Sequence, residues 1–209
     1  MQYLVASKAA AGHLHEGCRL LADGGMISFE QPWSFGAPLI ARLDGSVDLP
    51  ALKARFAEAG HNAFVVEGLE EPGHGQAFVL GGHIMRDMER FRPYAEAVPA
   101  VVQGFGGRFL ARGGKVTPLH GSFVPERVVL IEFPAADDAL KFYISDRYAP
   151  LLKIRLATTE AARLVEGAVR DHFDNWLAAD TKSAGAILDF LVLRAEERLR
   201  RRQEKETAR

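Results

Sequence analysis

Residues 76–168 alternate between two patterns of apolar and polar positions, one typical of strands and the other of helices. Apolar or alternating runs predict four strands, at 76–84, 107–112, 127–133 and 162–168. Apolar residues at helical spacing predict a helix over 86–103, and Asp137 and Asp138 mark the first turn of a second helix. The order β-α-β-β-α-β is that of ferredoxin-like folds, in which two helices cover one face of an antiparallel sheet.

The first half of the chain repeats this order in a shortened form. The sequence Arg-Leu-Leu-Ala-Asp-Gly-Gly at 19–25 returns as Arg-Phe-Leu-Ala-Arg-Gly-Gly at 108–114, and a similar series of elements follows each copy. Such repetition predicts two related halves, of which the first is a degenerate copy. Residues 1–17 leave two alternatives open: the first half lacks a first strand, or a strand at 2–6 precedes a stunted helix. The Pro- and Gly-containing sequence at 70–75 reads as the linker between the halves.

These patterns divide the chain into a degenerate ferredoxin-like half at 1–72, a ferredoxin-like domain at 76–168 and a helical extension at 169–209. Each predicted sheet has one face without helices, so we expect an α+β fold in which tandem ferredoxin-like halves pair sheet to sheet as an α/β barrel. In the extension, the pattern predicts a short helix over 171–178 and a long one over 181–203. The apolar stripe of the long helix would dock on the sheet or on another subunit, which predicts a homo-oligomer such as a homodimer.

Composition and charge exclude several classes of partner. The 209 residues include 26 basic and 27 acidic side chains, for a net charge of -1, so no overall field favours nucleic acid or an anionic membrane. The basic run at 198–202 is diluted by neighbouring glutamates and suits the end of a solvated helix. Cys18 is the only cysteine, and neither a signal-peptide pattern nor a long apolar run is present. We therefore expect a cytoplasmic protein with no nucleic-acid or membrane partner.

Three segments of the second half resemble one protein family when they are read together in order. They are Gly-Gly-Arg-Phe-Leu-Ala-Arg-Gly-Gly at 106–114, Arg-Val-Val-Leu-Ile-Glu-Phe-Pro at 127–134 and Val-Glu-Gly at 165–167. This combination, which extends over 76–168, resembles the uncharacterised family numbered 1330 among domains of unknown function. Where that family usually has Ser-Pro-Glu-Tyr, this chain has Ser-Asp-Arg-Tyr at 145–148.

The resemblance implies a fold and a mode of pairing, and no established reaction. Members of the family look like ferredoxin-like α+β domains that pair sheet to sheet as a dimeric barrel. The wider group includes small cofactor-free monooxygenases. For this chain, it implies that one polypeptide supplies both halves of such a pair.

The strongest candidate chemistry lies on the predicted inner face of the second sheet. Strict alternation places Arg108, Leu110, Arg112, Val128, Leu130 and Glu132 on that face and Phe109, Ala111, Val129, Ile131 and Phe133 towards the helices. Arg108 or Arg112 with Glu132 is then an expected ion pair, because an unpaired buried charge costs several kcal/mol. In a functional site, the arginines would hold a small carboxylate or enolate while Glu132 or His120 moves a proton. In a structural one, the same charges join the halves, with Asp23 opposite Arg112.

Further residues complete the list of candidates, and other kinds of site are disfavoured. His83 and Tyr94 are candidate ligand-binding residues at the mouth of the same pocket, although a strand end and core packing are the more common explanations for such residues. His13 and His15 diverge on a helix and lack a third ligand, so we expect no metal site there. The Gly-rich sequence at 104–107 follows a helix instead of a strand, which argues against a dinucleotide site. We expect no cofactor.

Three functions remain open from the sequence. The first is the binding of a small organic anion in the barrel. The second is a cofactor-independent enzyme, monooxygenase- or isomerase-like, that acts on a small organic acid with Arg108, Arg112, Glu132 and His120. The third is a structural or assembly role, which is favoured if the charges pair off without leaving a cavity.

Overall fold

The computed structural model describes residues 1–23, 25–28, 38–121, 125–160, 163–165, 168–170 and 176–179, with the backbone alone at residue 8, at 25–28 and from 160 onwards. The described residues of the first half form β1 (Gln2–Ser7), a 3-10 helix (Lys8–His13), β2 (Cys18–Ala22), β3 (Gly25–Ser28), β4 (Pro38–Leu43), α1 (Leu49–Ala59) and β5 (Ala63–Glu67). The rest of the chain contains β6 (Ala77–Met85), α2 (Met88–Gln103), β7 (Arg108–Arg112), β8 (Val116–His120), β9 (Arg127–Phe133), α3 (Ala136–Ile144), α4 (Ala149–Thr158), β10 (Thr159–Glu160), β11 (Arg163–Val165), β12 (Ala168–Arg170) and β13 (Trp176–Ala179).

The strands form two main antiparallel sheets. The first has the order β2-β4-β1-β5-β8 and the second has the order β3-β13-β6-β9-β7, with β10 paired to the end of β6. Each half therefore gives one strand to the sheet of the other: β8 pairs with β5, and β3 reaches β6 through β13. The separate strands β11 and β12 pair only with each other among the described residues. This exchange ties the two halves together through backbone hydrogen bonds.

Three apolar layers hold the sheets and helices together. The outer face of the first sheet packs on α1 through Leu52 and Phe56. The outer face of the second sheet packs on the other helices, for example through Phe91 of α2 and Phe142 of α3. Between the sheets lies a third layer, formed by Tyr3, Val5, Ile40, Phe64 and Val66 of the first sheet and Phe78, Leu80, Leu110, Ala111, Val128 and Leu130 of the second. The alternation of side chains along the strands produces these two faces.

Local signals explain where the two longest helices begin. The Asp48 carboxylate accepts from the Ala51 amide at 3.2 Å at the start of α1, and the Asp87 carboxylate accepts from the Arg90 amide at 3.0 Å at the start of α2. Helix α1 ends at Gly60, whose φ of 69° is the left-handed conformation that glycine adopts without strain. The sequence therefore specifies these boundaries directly.

The structure is α+β, as predicted, but the described strands form no closed barrel. The first half does have a first strand, β1, followed by a short 3-10 helix, which decides between the two alternatives for residues 1–17. None of the described helices is long and apolar enough to cross a membrane.

The prediction for the last strand was wrong. Residues 163–165 form a strand, but they pair with 168–170, and β13 occupies the position beside β6. The sequence pattern places residues 176–178 in a helix instead. A short apolar segment has no decisive periodicity, and here it gains backbone partners on both sides, from β3 and from β6. The predicted helix over 181–203 lies outside the described residues.

The layer between the sheets gives a stability test. Leu130 is fully buried there, whereas Leu156 on α4 is 51% exposed. We expect Leu130→Ala to lower the free energy of unfolding by about 2–5 kcal/mol, because it leaves a cavity between the sheets. Leu156→Ala should change it by less than about 0.5 kcal/mol. Urea denaturation of both variants measures the difference, and equal losses would contradict the described packing.

Candidate functional site

A β-bulge in β7 separates the two arginines that the sequence placed together. Arg108 lies opposite Glu132, but the register with β9 shifts between Phe109 and Ala111, so that Arg112 lies opposite Val129. Leu110 and Ala111 consequently both face the other sheet, and Arg112 lies on the helix face with its guanidinium 5.3 Å from the centre of the Phe109 ring. The predicted inward position of Arg112 and outward position of Ala111 were wrong, because one extra residue reverses the alternation.

Glu132 accepts hydrogen bonds from three groups. Its carboxylate is 4% exposed and accepts from the Gly73 amide at 3.0 Å, from the Gly75 amide at 2.9 Å and from Arg108 Nε at 2.7 Å. Burial alone would raise the pKa of Glu132, but the hydrogen bonds from Gly73 and Arg108 outweigh it and hold the pKa below its ordinary value. Glu132 is therefore a stable carboxylate and a poor proton acceptor.

The amides of Gly73 and Gly75 belong to the linker, residues 70–75, which is also tied to the first sheet. Arg42 of β4 makes a two-point ion pair with Glu71, with Nε–Oε2 and Nη2–Oε1 distances of 2.9 and 2.7 Å. The Tyr3 hydroxyl donates to the Glu70 carbonyl, and burial raises the pKa of that hydroxyl, so it remains a donor. The linker thus joins both sheets through charged and polar contacts.

Glycine is required in the linker because the carboxylate comes so close. A Cβ atom on Gly75 would lie 2.2 Å from Glu132 Cγ, and one on Gly73 would lie 2.9 Å from Arg108 Nη2. At Gly75 the same Cβ would also lie 2.7 Å from the Phe133 carbonyl oxygen, so glycine is required there, whereas at Gly73 the end of the Arg108 side chain could move aside. The sequence indicated a linker here, but nothing in it showed that the linker amides would bind a carboxylate.

Beside this network lies a cleft of about 360 Å³. It is lined by linker residues 73–75, by Gly106, by Arg108 and Glu132, and by Phe133 and Pro134. The Arg108 side chain is 40% exposed, although Nε donates to Glu132 and Nη2 donates to the Glu71 carbonyl. Glu70 Oε2 lies 3.7 Å from Nη1, which is an ion-pair distance and too long for a hydrogen bond. Of the five N–H groups of the guanidinium, three are thus left without a hydrogen-bond partner among the described residues.

The other predicted site residues do not join this cleft. His83 and Tyr94 lie on the helix side of the second sheet, with Tyr94 in ring contact with Phe91 and Tyr148. His120 pairs with Ala63, at the end of β5 that is remote from the linker. The predicted single pocket for these residues is therefore not formed, and their roles as ligand or proton-transfer groups stay predictions.

Two residues were not predicted from the sequence, one beside His83 and one in the cleft. Arg155 of α4 is fully buried and places Nη1 3.3 Å from His83 Nε2. Because a guanidinium only donates, His83 accepts at Nε2 and carries its proton on Nδ1. His74, which the sequence pattern assigns only to the linker, lines the cleft. No group of three or more His, Cys, Asp or Glu side chains within the described part of the chain could hold a metal ion.

Comparison with known proteins finds two families in different parts of the chain. Residues 76–168 match the family described as "Domain of unknown function (DUF1330)", which confirms the resemblance inferred from the sequence. Residues 152–207 match the family described as "DNA gyrase B". The two matched segments overlap in the region of α4 and β11.

Two curated relatives are similar over short stretches. The B subunit of DNA topoisomerase 4 from Bartonella bacilliformis is 50% identical over 68 residues, which are 32% of this chain and 10% of that protein. Its counterpart from Caulobacter vibrioides is 53% identical over 57 residues, or 27% of this chain and 8% of that protein. The chain thus spans a tenth or less of the length of these relatives.

Replacement of Glu132 tests the network at the linker. We expect Glu132→Gln to lower the free energy of unfolding by about 3 kcal/mol, because it removes the charge that pairs with Arg108 and presents an amide donor to the linker amides. Glu58→Gln, a matched change at an exposed position of α1, should cost less than about 0.5 kcal/mol. Urea denaturation at neutral pH measures both, and equal effects would show that the network contributes little.

The same variant should show a distinct pH dependence. Because the folded pKa of Glu132 is below its ordinary value of 4.5, its contribution to stability is present above that pH and is lost as the pH falls through the folded pKa. The difference in unfolding free energy between the wild type and Glu132→Gln should therefore shrink between pH 6 and pH 3. A constant difference across that range would contradict the lowered pKa.

Proposed function

We propose that this protein binds a small organic monoanion in the cleft beside the linker, with Arg108 as the residue that recognises its charge. The observation that carries the proposal is a guanidinium held in place on one side by Glu132 and exposed on the other. Such an arrangement fixes the direction of the remaining N–H donors before a ligand arrives, which lowers the entropic cost of binding. Arginine donors suit a carboxylate because two of its N–H groups can reach both oxygens.

Size and charge narrow the class of ligand. A cleft of about 360 Å³ lies near the lower end of the range for small-molecule sites, about 300–1,000 Å³. Pro134 supplies exposed apolar surface, whereas the carboxylates of Glu70 and Glu132 lie beside the same arginine. Those carboxylates disfavour ligands with several negative charges. A carboxylate attached to one ring or a short chain fits these conditions best.

The alternative of a cofactor-independent enzyme rests on His74. This histidine lines the same cleft as Arg108, so a substrate held by the arginine would lie within its reach, and an imidazole can move a proton near neutral pH. Glu132 is unsuited to that task because its oxygens are occupied by hydrogen bonds. If turnover occurs, we propose His74 as the proton-transfer group in place of Glu132 and His120.

We also propose that the chain is a tandem duplication of a ferredoxin-like unit. Without the exchanged strands β3 and β8, the two sheets have the orders β2-β4-β1-β5 and β7-β9-β6-β13. In both, the second strand of the half is followed by the third, the first and the fourth, and this shared order supports the proposal. The helices on the outer face of each sheet support it as well. We further propose a cytoplasmic location. It is supported by Cys18, a free cysteine, because free thiols are typical of a reducing compartment.

The similarity to topoisomerase subunits does not enter this proposal. Every residue that lines the cleft precedes residue 152, where the match to DNA gyrase B begins. The proposed binding site therefore belongs to the linker and to the segment that matches the family of unknown function.

A thermal-shift panel of small carboxylates, phenols and enolisable ketones tests the proposed function. At 100 times its Kd, a ligand that binds only the folded state stabilises it by about 2.7 kcal/mol, which should raise the Tm by about 5–10 °C for a chain of this size. We expect monocarboxylates to give the shift. Arg108→Lys should weaken binding by about tenfold or more, because lysine keeps the charge and loses the paired donors.

Arg112→Lys is the matched control, since Arg112 lies on the opposite face of the sheet. It should leave the ligand-induced shift unchanged. A panel without any shift, or equal weakening by the two substitutions, would overturn the binding proposal and leave the arginine with a structural role. A carboxylate that is chemically converted by the wild type and not by His74→Ala would favour the enzyme instead.

A further inference from the structure

A second cleft, on the opposite side of the second sheet, lies between α2 and α4. Its volume is about 410 Å³, and it is lined by Arg90 and Pro93 of α2 and by Lys153, Ile154, Ala157 and Thr158 of α4. The first cleft is formed by the linker and by strands β7 and β9, so the two clefts share no lining residue. No sequence pattern had marked this groove.

The groove has charged margins and an apolar lining between them. Arg90 and Lys153, one from each helix, are exposed, and neither forms an ion pair with another residue that the structure describes. Pro93, Ile154 and Ala157 supply the apolar part. The hydroxyl of Thr158, the remaining polar group, already donates to the Ile154 carbonyl at 2.7 Å. The cleft therefore offers two positive charges and apolar surface, and it offers little else for hydrogen bonding.

Helix α4 adds no negative charge to the groove. Helix α4, with the sequence Ala-Pro-Leu-Leu-Lys-Ile-Arg-Leu-Ala-Thr, contains no acidic residue. Its second cation, Arg155, is buried on the side that faces β6. Arg155 therefore adds no exposed charge to the groove, where Lys153 is the cation that α4 contributes.

We infer that the groove between α2 and α4 binds an amphipathic carboxylate, with the anionic group between Arg90 and Lys153 and an aliphatic chain against Pro93, Ile154 and Ala157. The two cations attract one negative charge, and the apolar lining gains from the removal of a hydrocarbon chain from water. A short anion without a chain would gain only the exposed ion pairs, which contribute little. A neutral molecule would gain only the apolar contact.

Three probes separate these contributions. Titration calorimetry of the purified full chain with octanoate, acetate and octanamide compares the whole ligand with its charge alone and its chain alone. We expect saturable binding of octanoate and at least tenfold weaker binding of the other two. Equal affinity for octanoate and octanamide would overturn the inference, since the cations would then have no role.

Substitutions locate the binding to this groove. Arg90→Gln and Lys153→Gln should each weaken octanoate binding by about two- to fivefold. Ala157→Trp, which fills the apolar part at an exposed position, should weaken it by more than tenfold. Arg92→Gln is the matched control, because Arg92 is an exposed arginine on the same helix outside the groove. Equal effects of Arg90→Gln and Arg92→Gln would contradict the inferred site.

Arg108→Lys keeps this inference distinct from the proposed function. Octanoate bound between α2 and α4 should be unaffected by that substitution, whereas binding beside the linker should weaken by about tenfold or more. If Arg108→Lys abolishes octanoate binding and Ala157→Trp leaves it intact, the groove is not the site.

Discussion

The burial of one negative charge fixes the path of the linker that runs between the two sheets. Glu132 is almost completely removed from water, and a carboxylate in that position costs several kcal/mol unless hydrogen-bond donors surround it. Arg108 supplies one donor, and the linker supplies the others through the amides of Gly73 and Gly75. Arg42 and Tyr3 of the first sheet bind the same linker. The six linker residues therefore connect the buried carboxylate of the second sheet to side chains of the first sheet.

This constraint also explains why the candidate site lies at the edge of the sheets and not between them. The space between the sheets is filled by apolar side chains such as Val5, Phe64 and Leu130. Polar groups gather where the linker crosses the end of that layer, because backbone amides are available there. The apolar layer between the sheets thus stabilises the fold, and the charged groups of the candidate site lie at the edge of that layer, beside the linker.

Sequence patterns predicted the class of fold and the central ion pair, and they failed where backbone hydrogen bonding decides the outcome. Glu132 was predicted to pair with Arg108 or Arg112 because regular alternation puts all three on one face, and the structure shows the pair with Arg108. The bulge at Leu110 left no mark in the sequence, since Leu110 and Ala111 are both apolar and suit either face. Arg112 was misplaced for that reason.

The linker and β13 were also beyond prediction from sequence patterns, because contacts with distant residues decide their structure. Gly73 and Gly75 have the composition of any turn, and only the close approach of Glu132 and of the Phe133 carbonyl makes glycine necessary at position 75. The segment Trp176–Ala179 is too short for its periodicity to be decisive, and its place between β3 and β6 depends on partners that are distant in the sequence.

The exchange of strands has a consequence for synthesis on the ribosome. The edge of β5, with its apolar residues Phe64, Val65 and Val66, is covered by β8, which follows about 50 residues later. At about 5–20 residues per second, that edge stays without its partner for roughly 3–10 s of translation. An uncovered apolar edge strand is a template on which another chain can pair. The nascent first half therefore passes through an interval in which this edge can pair with another nascent chain, before the finished fold protects it.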